Sequence, residues 1–145
     1  MNRKLNVLFL CTGNACRSQM AEGLCQHMKP NAINAYSAGI EKHGLNPLAV
    51  KVMSEIGIDI SHHYSKVCED LDVEYDYVVT VCGHANETCP VFVGDCKVVH
   101  VGFDDPPKMA INAKTEAEAL PYYRCVRDQI AEFIAELPEI LSELR

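Results

Sequence analysis

The stretch VLFLCTGNACRSQMAEG, residues 7–23, decides the fold because it joins a continuous apolar run to a helix through a short polar loop. The apolar run over residues 4–10 predicts a buried β-strand, and residues 18–28 carry apolar side chains on one face of a predicted helix. Cys11 stands where the strand ends, and Arg17 follows six positions later. A strand, a loop and a helix in this order predict a βα unit of a parallel sheet.

The rest of the chain repeats this alternation of strands and helices. Continuous rather than alternating hydrophobicity indicates strands that are covered on both faces, as in parallel sheets. We therefore expect one α/β domain over residues 1–145, with a doubly wound, three-layer sandwich around a four-stranded parallel sheet. The further strands are predicted over residues 33–40, 75–81 and 97–103, and the further helices over residues 47–56 and 115–144, the last bent or interrupted at Pro121 and Pro138.

The composition limits the kind of partner. The chain has 145 residues and a net charge of −7, which disfavours a nucleic-acid partner. Its apolar runs are shorter than the roughly 20 residues of a membrane span, and the first of them is too short for a signal peptide. We expect a cytoplasmic protein with no membrane partner, in which the eight cysteines are core, catalytic or metal-binding thiols rather than a disulfide framework.

Chemically active residues follow the predicted strands at the point where each strand ends. Cys11 follows the first strand, the turn at Ser37 lies at the end of the second, and Cys82 and Asp105 follow the third and fourth. Ligands of open parallel sheets bind at the carboxyl ends of the strands. These four segments are therefore expected to meet in one site.

Cys11 and Arg17 fit the pattern C-x5-R, which suits a nucleophile held against an anion. Residues 12–17 can wrap into a loop whose backbone N–H groups point inward at a helix N-terminus. These N–H groups, the helix dipole and the Arg17 guanidinium would bind a tetrahedral oxyanion and favour the thiolate form of Cys11. Ser18 can donate a hydrogen bond to this sulfur. Gly13 permits the backbone to approach the ligand closely. The alternative is a buried cysteine near an unrelated arginine. The predicted oxyanion-binding residues are Thr12, Gly13, Asn14, Ala15, Cys16, Arg17 and Ser18, with the Cys16 side chain in the core.

Residues 7–23, together with residues 36–39, resemble the low-molecular-weight protein tyrosine phosphatase superfamily, and within it the thioredoxin-coupled arsenate reductases. The resemblance extends over nearly the whole chain, from about residue 4 to about residue 144. It implies the strand order 2-1-3-4. It also implies arsenate as the substrate, thioredoxin as the electron donor and a monomeric protein.

The segment VTVCGHANETCPVF, residues 79–92, carries the feature that distinguishes a reductase from a phosphatase. A phosphatase needs one thiol, whereas a reductase must collect two electrons. The resemblance implies that Cys11 attacks arsenate, that a Cys11–Cys82 disulfide follows, and that a Cys82–Cys89 disulfide is then presented to thioredoxin. The alternatives are two structural cysteines, a zinc site that includes Cys96, or a thiol redox or metal sensor.

The segment GFDDPPKMA, residues 102–110, places Asp105 directly before Pro106. An Asp-Pro pair is a common turn, but the resemblance implies that Asp105 is the general acid that protonates the departing oxygen. Phosphatases of this superfamily usually have an aromatic residue after the proline, and here Pro107 stands in its place. This difference disfavours the main alternative, a low-molecular-weight tyrosine phosphatase.

A cation site is the last feature that the resemblance implies. In potassium-sensitive members the ion lies beside the anion-binding loop, and its ligands would include Asn14, Glu22 and Ser37. Two further ligand positions fall on Tyr64 and Lys66. We expect no cofactor, because the Lys66 ammonium has the charge and about the size of potassium and can take its place. The alternative is a solvated surface lysine.

Overall fold

The computed structural model describes residues 4–82 and 96–143. Within these residues the strands form a parallel sheet in the order β2-β1-β3-β4, which confirms the predicted order. The strands are β1 (Leu5–Cys11), β2 (Ile33–Gly39), β3 (Tyr77–Cys82) and β4 (Lys97–Phe103). The helices are α1 (Arg17–Met28), α2 (Pro47–Glu55), α3 (Pro106–Met109), α4 (Glu116–Ala135) and α5 (Glu139–Glu143), and Cys68–Asp70 forms a 3-10 turn.

Strand β1 lies inside the sheet and is covered on both faces, which explains its continuous apolar sequence. Val7 and Phe9 pack into a core that contains residues of α1, α2 and α4. Leu8 and Leu10 point to the opposite face and join a smaller cluster that includes partly buried Leu71. Because successive side chains of a strand alternate between faces, both sets must be apolar. Cys11, at the end of β1, therefore lies in the middle of the carboxyl edge of the sheet.

The helix starts follow local capping rules, with one informative difference. The Asn46 side chain accepts from the N–H groups of Leu48 and Ala49 at the start of α2, and Thr115 forms a capping box with Glu118 at the start of α4. Helix α1 begins after Cys16, which provides no side-chain cap. The N-terminal end of α1 is instead continuous with the predicted oxyanion-binding loop.

The predicted elements match the structure to within two residues at most ends, and the C-terminal region is where they differ. The predicted helix over residues 115–144 is two helices, and its interruption lies next to Pro138, as predicted. Of the two effects predicted at Pro121, a bend or an interruption, the interruption is wrong, because α4 continues through this residue. Leu120, directly before that proline, and Tyr123, two residues after it, are buried. Helix α3 was not predicted.

Over residues 4–82 and 96–143, no helix combines the length and the apolar character that crossing a membrane requires.

Candidate active site

The loop between β1 and α1 turns its backbone carbonyl groups away from the sheet edge. Thr12 O accepts from the N–H groups of Ile40 and Glu41, both at 3.0 Å. Gly13 O accepts from His43 N at 3.0 Å, and Ala15 O accepts from Asn46 N at 2.9 Å. In a trans peptide the N–H group points opposite to the carbonyl group. The N–H groups that follow these carbonyls therefore point inward, as an anion-binding loop requires.

Asn14 and Gly13 give the loop its shape in different ways. Asn14 is buried and has φ of 49°, the left-handed conformation that asparagine tolerates better than most residues. Its carbonyl oxygen accepts from Ser65 Oγ at 2.8 Å and from Gln19 Nε2 at 3.1 Å. A Cβ at Gly13 would lie 2.2 Å from His43 Nδ1, so any other residue there would force the imidazole to move. The close approach of a ligand to Gly13 stays a prediction, and the structure adds an imidazole beside this residue.

The nucleophile candidate, Cys11, is buried at the base of this loop. Its Sγ lies 2.8 Å from Ser18 Oγ, as the sequence predicted. The Asn14 side-chain amide donates to the same Ser18 oxygen at 2.9 Å. Because that amide nitrogen can only donate, the hydroxyl hydrogen of Ser18 is available for the sulfur of Cys11. The arrangement therefore places a hydroxyl donor at the Cys11 sulfur.

Arg17 is fixed by the ends of two other strands. Its Nη1 donates to Phe103 O at 2.8 Å and to Val81 O at 3.4 Å. Its Nη2 lies 3.9 Å from Asp105 Oδ1, and the Asp105 side chain is 29% exposed while that of Arg17 is 5% exposed. The guanidinium is thus held at the loop, and a partly exposed carboxyl group stands beside it. Such a carboxyl group can reach a bound anion and exchange its proton with solvent.

A cavity of about 380 Å³ opens above these groups. His43 and Pro107 are pocket residues that the sequence analysis missed. His43 follows the carboxyl end of β2 by four positions, so the rule that places ligands at this edge would have found it. Its Nε2 lies 2.6 Å from Glu41 Oε2. The full lining consists of Cys11, Thr12, Gly13, Ala15, Cys16, Arg17, His43, Asp105 and Pro107.

A second polar cluster packs against Asn14 of the loop. Gln19 Nε2 donates to Asn14 Oδ1 at 2.9 Å and to Tyr64 O at 2.9 Å. The same amide accepts through Oε1 from His63 Nδ1 at 3.0 Å. Burial is the main cause that lowers the pKa of His63 below its ordinary value of 6.5, which fits a neutral imidazole that donates from Nδ1. Lys66 belongs to this cluster and is 6% exposed, so the interpretation as a solvated surface lysine is wrong.

The other thiols have different environments. Cys16 and Cys25 lie in the core, as predicted for Cys16, and burial raises the pKa of both, that of Cys25 to about 12. The backbone of Cys82 ends β3 beside Phe103 of β4, at the same edge as Cys11. Cys89 lies outside the described residues, so a zinc site that uses it stays untested. Among the residues that the structure describes, no group of three His, Cys, Asp or Glu is placed to hold a metal ion.

The model of the low molecular weight phosphotyrosine protein phosphatase family matches residues 6–143. The chain belongs to this family. It is 48% identical over 140 residues to the arsenate reductase of Halalkalibacterium halodurans, a match that covers 96% of this chain and 98% of that protein. It is 47% identical over 137 residues to the arsenate reductase of Bacillus licheniformis, covering 94% of this chain and 96% of that protein.

A solved structure described as an arsenate reductase in the phosphate binding state has the same fold, with a TM-score of 0.74 at 30% identity. The match covers 99% of this chain and 100% of that chain. The family membership confirms the resemblance that the sequence of the loop indicated. Within the family, the relatives described above carry the name arsenate reductase. The roles of individual residues are not tested by these similarities and stay predictions.

Proposed function

We propose that this chain reduces arsenate to arsenite with electrons from thioredoxin. The observation that carries the proposal is the buried Cys11 thiol inside a loop with inward N–H groups, with Arg17 and Asp105 beside it. The family relatives named arsenate reductase, at nearly full length, support the choice of arsenate. The chain would act as a monomer in the cytoplasm, where thioredoxin keeps thiols reduced.

In the first step, the Cys11 thiolate attacks the arsenic atom of arsenate. The loop N–H groups and the Arg17 guanidinium bind the remaining oxygens, whose charge they stabilise. Asp105 donates its proton to the departing oxygen, which leaves as water. The product is a covalent adduct between the Cys11 sulfur and pentavalent arsenic.

In the second step, the Cys82 thiolate attacks the Cys11 sulfur and the sulfur–arsenic bond breaks. The bonding electron pair goes to arsenic, which is reduced from the pentavalent to the trivalent state and leaves as arsenite. The two thiols are oxidised to a Cys11–Cys82 disulfide. Cys89 then attacks Cys82 and releases the Cys11 thiolate, and thioredoxin supplies two electrons to the resulting Cys82–Cys89 disulfide. The place of Cys82 at the end of β3, on the edge that carries Cys11, supports this succession.

The second candidate function is a phosphatase, which the proximity of Arg17 and Asp105 favours. Cys11, Arg17 and Asp105 are sufficient for hydrolysis of a phosphate ester. Against an aryl phosphate as the main substrate, Pro107 lines the pocket where the phosphatases of this superfamily usually have an aromatic residue. We therefore expect slow aryl-phosphate hydrolysis as a side reaction.

The deciding experiment compares two activities of one preparation. Arsenate-dependent oxidation of NADPH is measured with thioredoxin and thioredoxin reductase, and hydrolysis of an aryl phosphate is measured beside it. Turnover of arsenate well above that of the ester supports the reductase. Ester hydrolysis without arsenate turnover would establish the phosphatase. The absence of both activities would favour a thiol sensor.

Cysteine variants separate the steps. Cys82→Ser should lose arsenate turnover and keep ester hydrolysis, whereas Cys11→Ser should lose both. Cys89→Ser should stop after one turnover as a Cys11–Cys82 disulfide, which peptide mapping detects. Cys125→Ser is the matched control, because Cys125 is exposed on α4. Repeated turnover by Cys82→Ser would refute the three-thiol scheme, and a Cys82–Cys96 disulfide in the oxidised wild type would assign the third thiol to Cys96.

A further inference from the structure

Lys66 is buried behind the oxyanion-binding loop, an uncommon place for an ammonium group. Its Nζ donates to Tyr64 O at 3.0 Å and lies 4.7 Å from the centre of the Tyr64 ring. The same Nζ lies 3.8 Å from Glu22 Oε1, and both side chains are largely buried, at 8% and 12% exposed. A buried charge destabilises the fold unless it is paired with an opposite charge. The Lys66 ammonium and the Glu22 carboxylate therefore depend on each other.

Glu22 connects the pair to the helix that follows the loop. It lies on α1, which begins at Arg17. Its carboxylate accepts from Ser37 Oγ of β2 and from Gln26 Nε2, the latter at 3.1 Å. Without a facing cation, this carboxylate would be an uncompensated charge beneath the loop. The Lys66 ammonium supplies that cation.

The backbone of Lys66 connects the same pair to the loop itself. Lys66 N donates to Asn14 Oδ1 at 2.7 Å, and Lys66 O accepts from Gly39 N at 2.8 Å. Asn14 is the loop residue in the left-handed conformation, and its side chain also donates to Ser18. Displacement of Lys66 would therefore be transmitted through Asn14 to the hydroxyl group that contacts Cys11.

We propose that Lys66 is a positioning residue whose ammonium acts as a built-in monovalent cation and holds the oxyanion-binding loop in its binding-competent shape. The part of this inference that concerns arsenate rests on the proposed function. A direct consequence is that the wild-type protein gains nothing from added potassium, because its cation is already present. Removal of the ammonium should create a need for one, since a cavity of about 290 Å³ lined by Glu22, His63, Tyr64 and Lys66 is adjacent.

The test compares Lys66→Met with Lys51→Met, in sodium and in potassium salts of equal ionic strength. Lys51 is an exposed lysine on α2 whose Nζ lies 2.5 Å from Glu116 Oε1, so the control removes an ion pair away from the loop. Lys66→Met should raise KM for arsenate about tenfold and change kcat by less than about threefold, because the loop binds the anion before the reaction begins. Potassium should restore much of the lost affinity. Lys51→Met should match the wild type in both salts.

A second readout does not depend on turnover. Inorganic phosphate is used as the probe, and its binding is measured as protection of Cys11 from alkylation by iodoacetamide. Lys66→Met should need about tenfold more phosphate for half protection in sodium, and less in potassium. The double variant Glu22→Gln/Lys66→Met should lose the potassium response, because the charge that attracts the cation is gone.

The outcomes distinguish a failure of this inference from a failure of the proposed function. Phosphate protection that weakens in Lys66→Met supports the positioning role, even if no variant turns over arsenate. Specific activation of the wild type by potassium would overturn the inference, and this comparison needs no variant to fold. Unchanged phosphate protection in a folded Lys66→Met would overturn it as well.

Discussion

Replacement of Ser18 by alanine should lower the reactivity of Cys11. The substitution leaves Arg17, the charged group proposed to bind the oxyanion, in place. Ser18 Oγ lies 2.8 Å from Cys11 Sγ, and both residues are buried. Because Asn14 Nδ2 donates to Ser18 Oγ at 2.9 Å, the hydroxyl of Ser18 can donate to the sulfur. The alanine variant removes this donor, and burial limits its replacement by water.

The size of the effect follows from the energy of a hydrogen bond to a charged group. Such a bond contributes about 1.5–3 kcal/mol, a factor of about 10 to 150 in the stabilisation of negative charge on the sulfur. A sulfur anion that loses a hydrogen bond is also a stronger nucleophile, which cancels roughly half of this factor on a logarithmic scale. Alkylation of Cys11 at neutral pH should therefore slow by about 3- to 12-fold.

The assay is the rate of iodoacetamide alkylation at about pH 7, followed at the Cys11 peptide by mass spectrometry. Ser18→Thr is the matched control, because it keeps a hydroxyl on the same carbon, and it should react within about threefold of the wild type. An alanine variant that reacts at the wild-type rate, with a native thermal transition, would refute the assignment of Ser18 as the donor to Cys11.

Three further predictions concern the loop, its support and the core. Gly39→Ala should lower kcat/KM for arsenate by about 100-fold, because a Cβ there would lie 2.7 Å from Thr12 O and 2.8 Å from Asn14 N; steady-state kinetics will check it. Burial lowers the pKa of His63 below its ordinary value of 6.5, so the unfolded chain binds a proton at a higher pH than the folded chain does. The free energy of unfolding therefore falls as the pH drops below about 6.5. His63→Gln should weaken this pH dependence, which is measured by urea unfolding at about pH 7.5 and about pH 5.5. Leu24→Ala, at a side chain that is 1% exposed, should lower the free energy of unfolding by about 2–5 kcal/mol in the same assay.

The order of elements was accessible from the sequence because it depends on local patterns. The continuous apolar residues of β1 indicate a strand with two covered faces, and both faces are covered. Asn46 and Pro47 predict the start of α2, where the structure has a side-chain cap and a proline in the first turn. The C-terminal helix was harder, because the effect of Pro121 depends on what packs around it rather than on the proline itself.

The loop from Cys11 to Ser18 could also be predicted, since its residues are neighbours along the chain. Strand, loop and helix follow one another without a gap, so the cysteine, the loop N–H groups and the serine must meet. What the sequence did not predict is the support of Arg17 by the carbonyl groups of Val81 and Phe103, which are 64 and 86 residues away. That contact exists only because β3 and β4 are parallel and end at the same edge.

By itself, the sequence determined the alternation of strands and helices and the strand–loop–helix order that places Cys11 and Ser18 together, because hydrophobic period and short spacing act within a few residues. Only the tertiary structure decided that His43 packs on Gly13 and that the Lys66 ammonium is buried opposite Glu22. The first depends on the register between β1 and β2, and the second depends on the path of the chain after α2. The burial of a charged side chain is settled by which distant groups surround it, and a linear pattern does not contain that information.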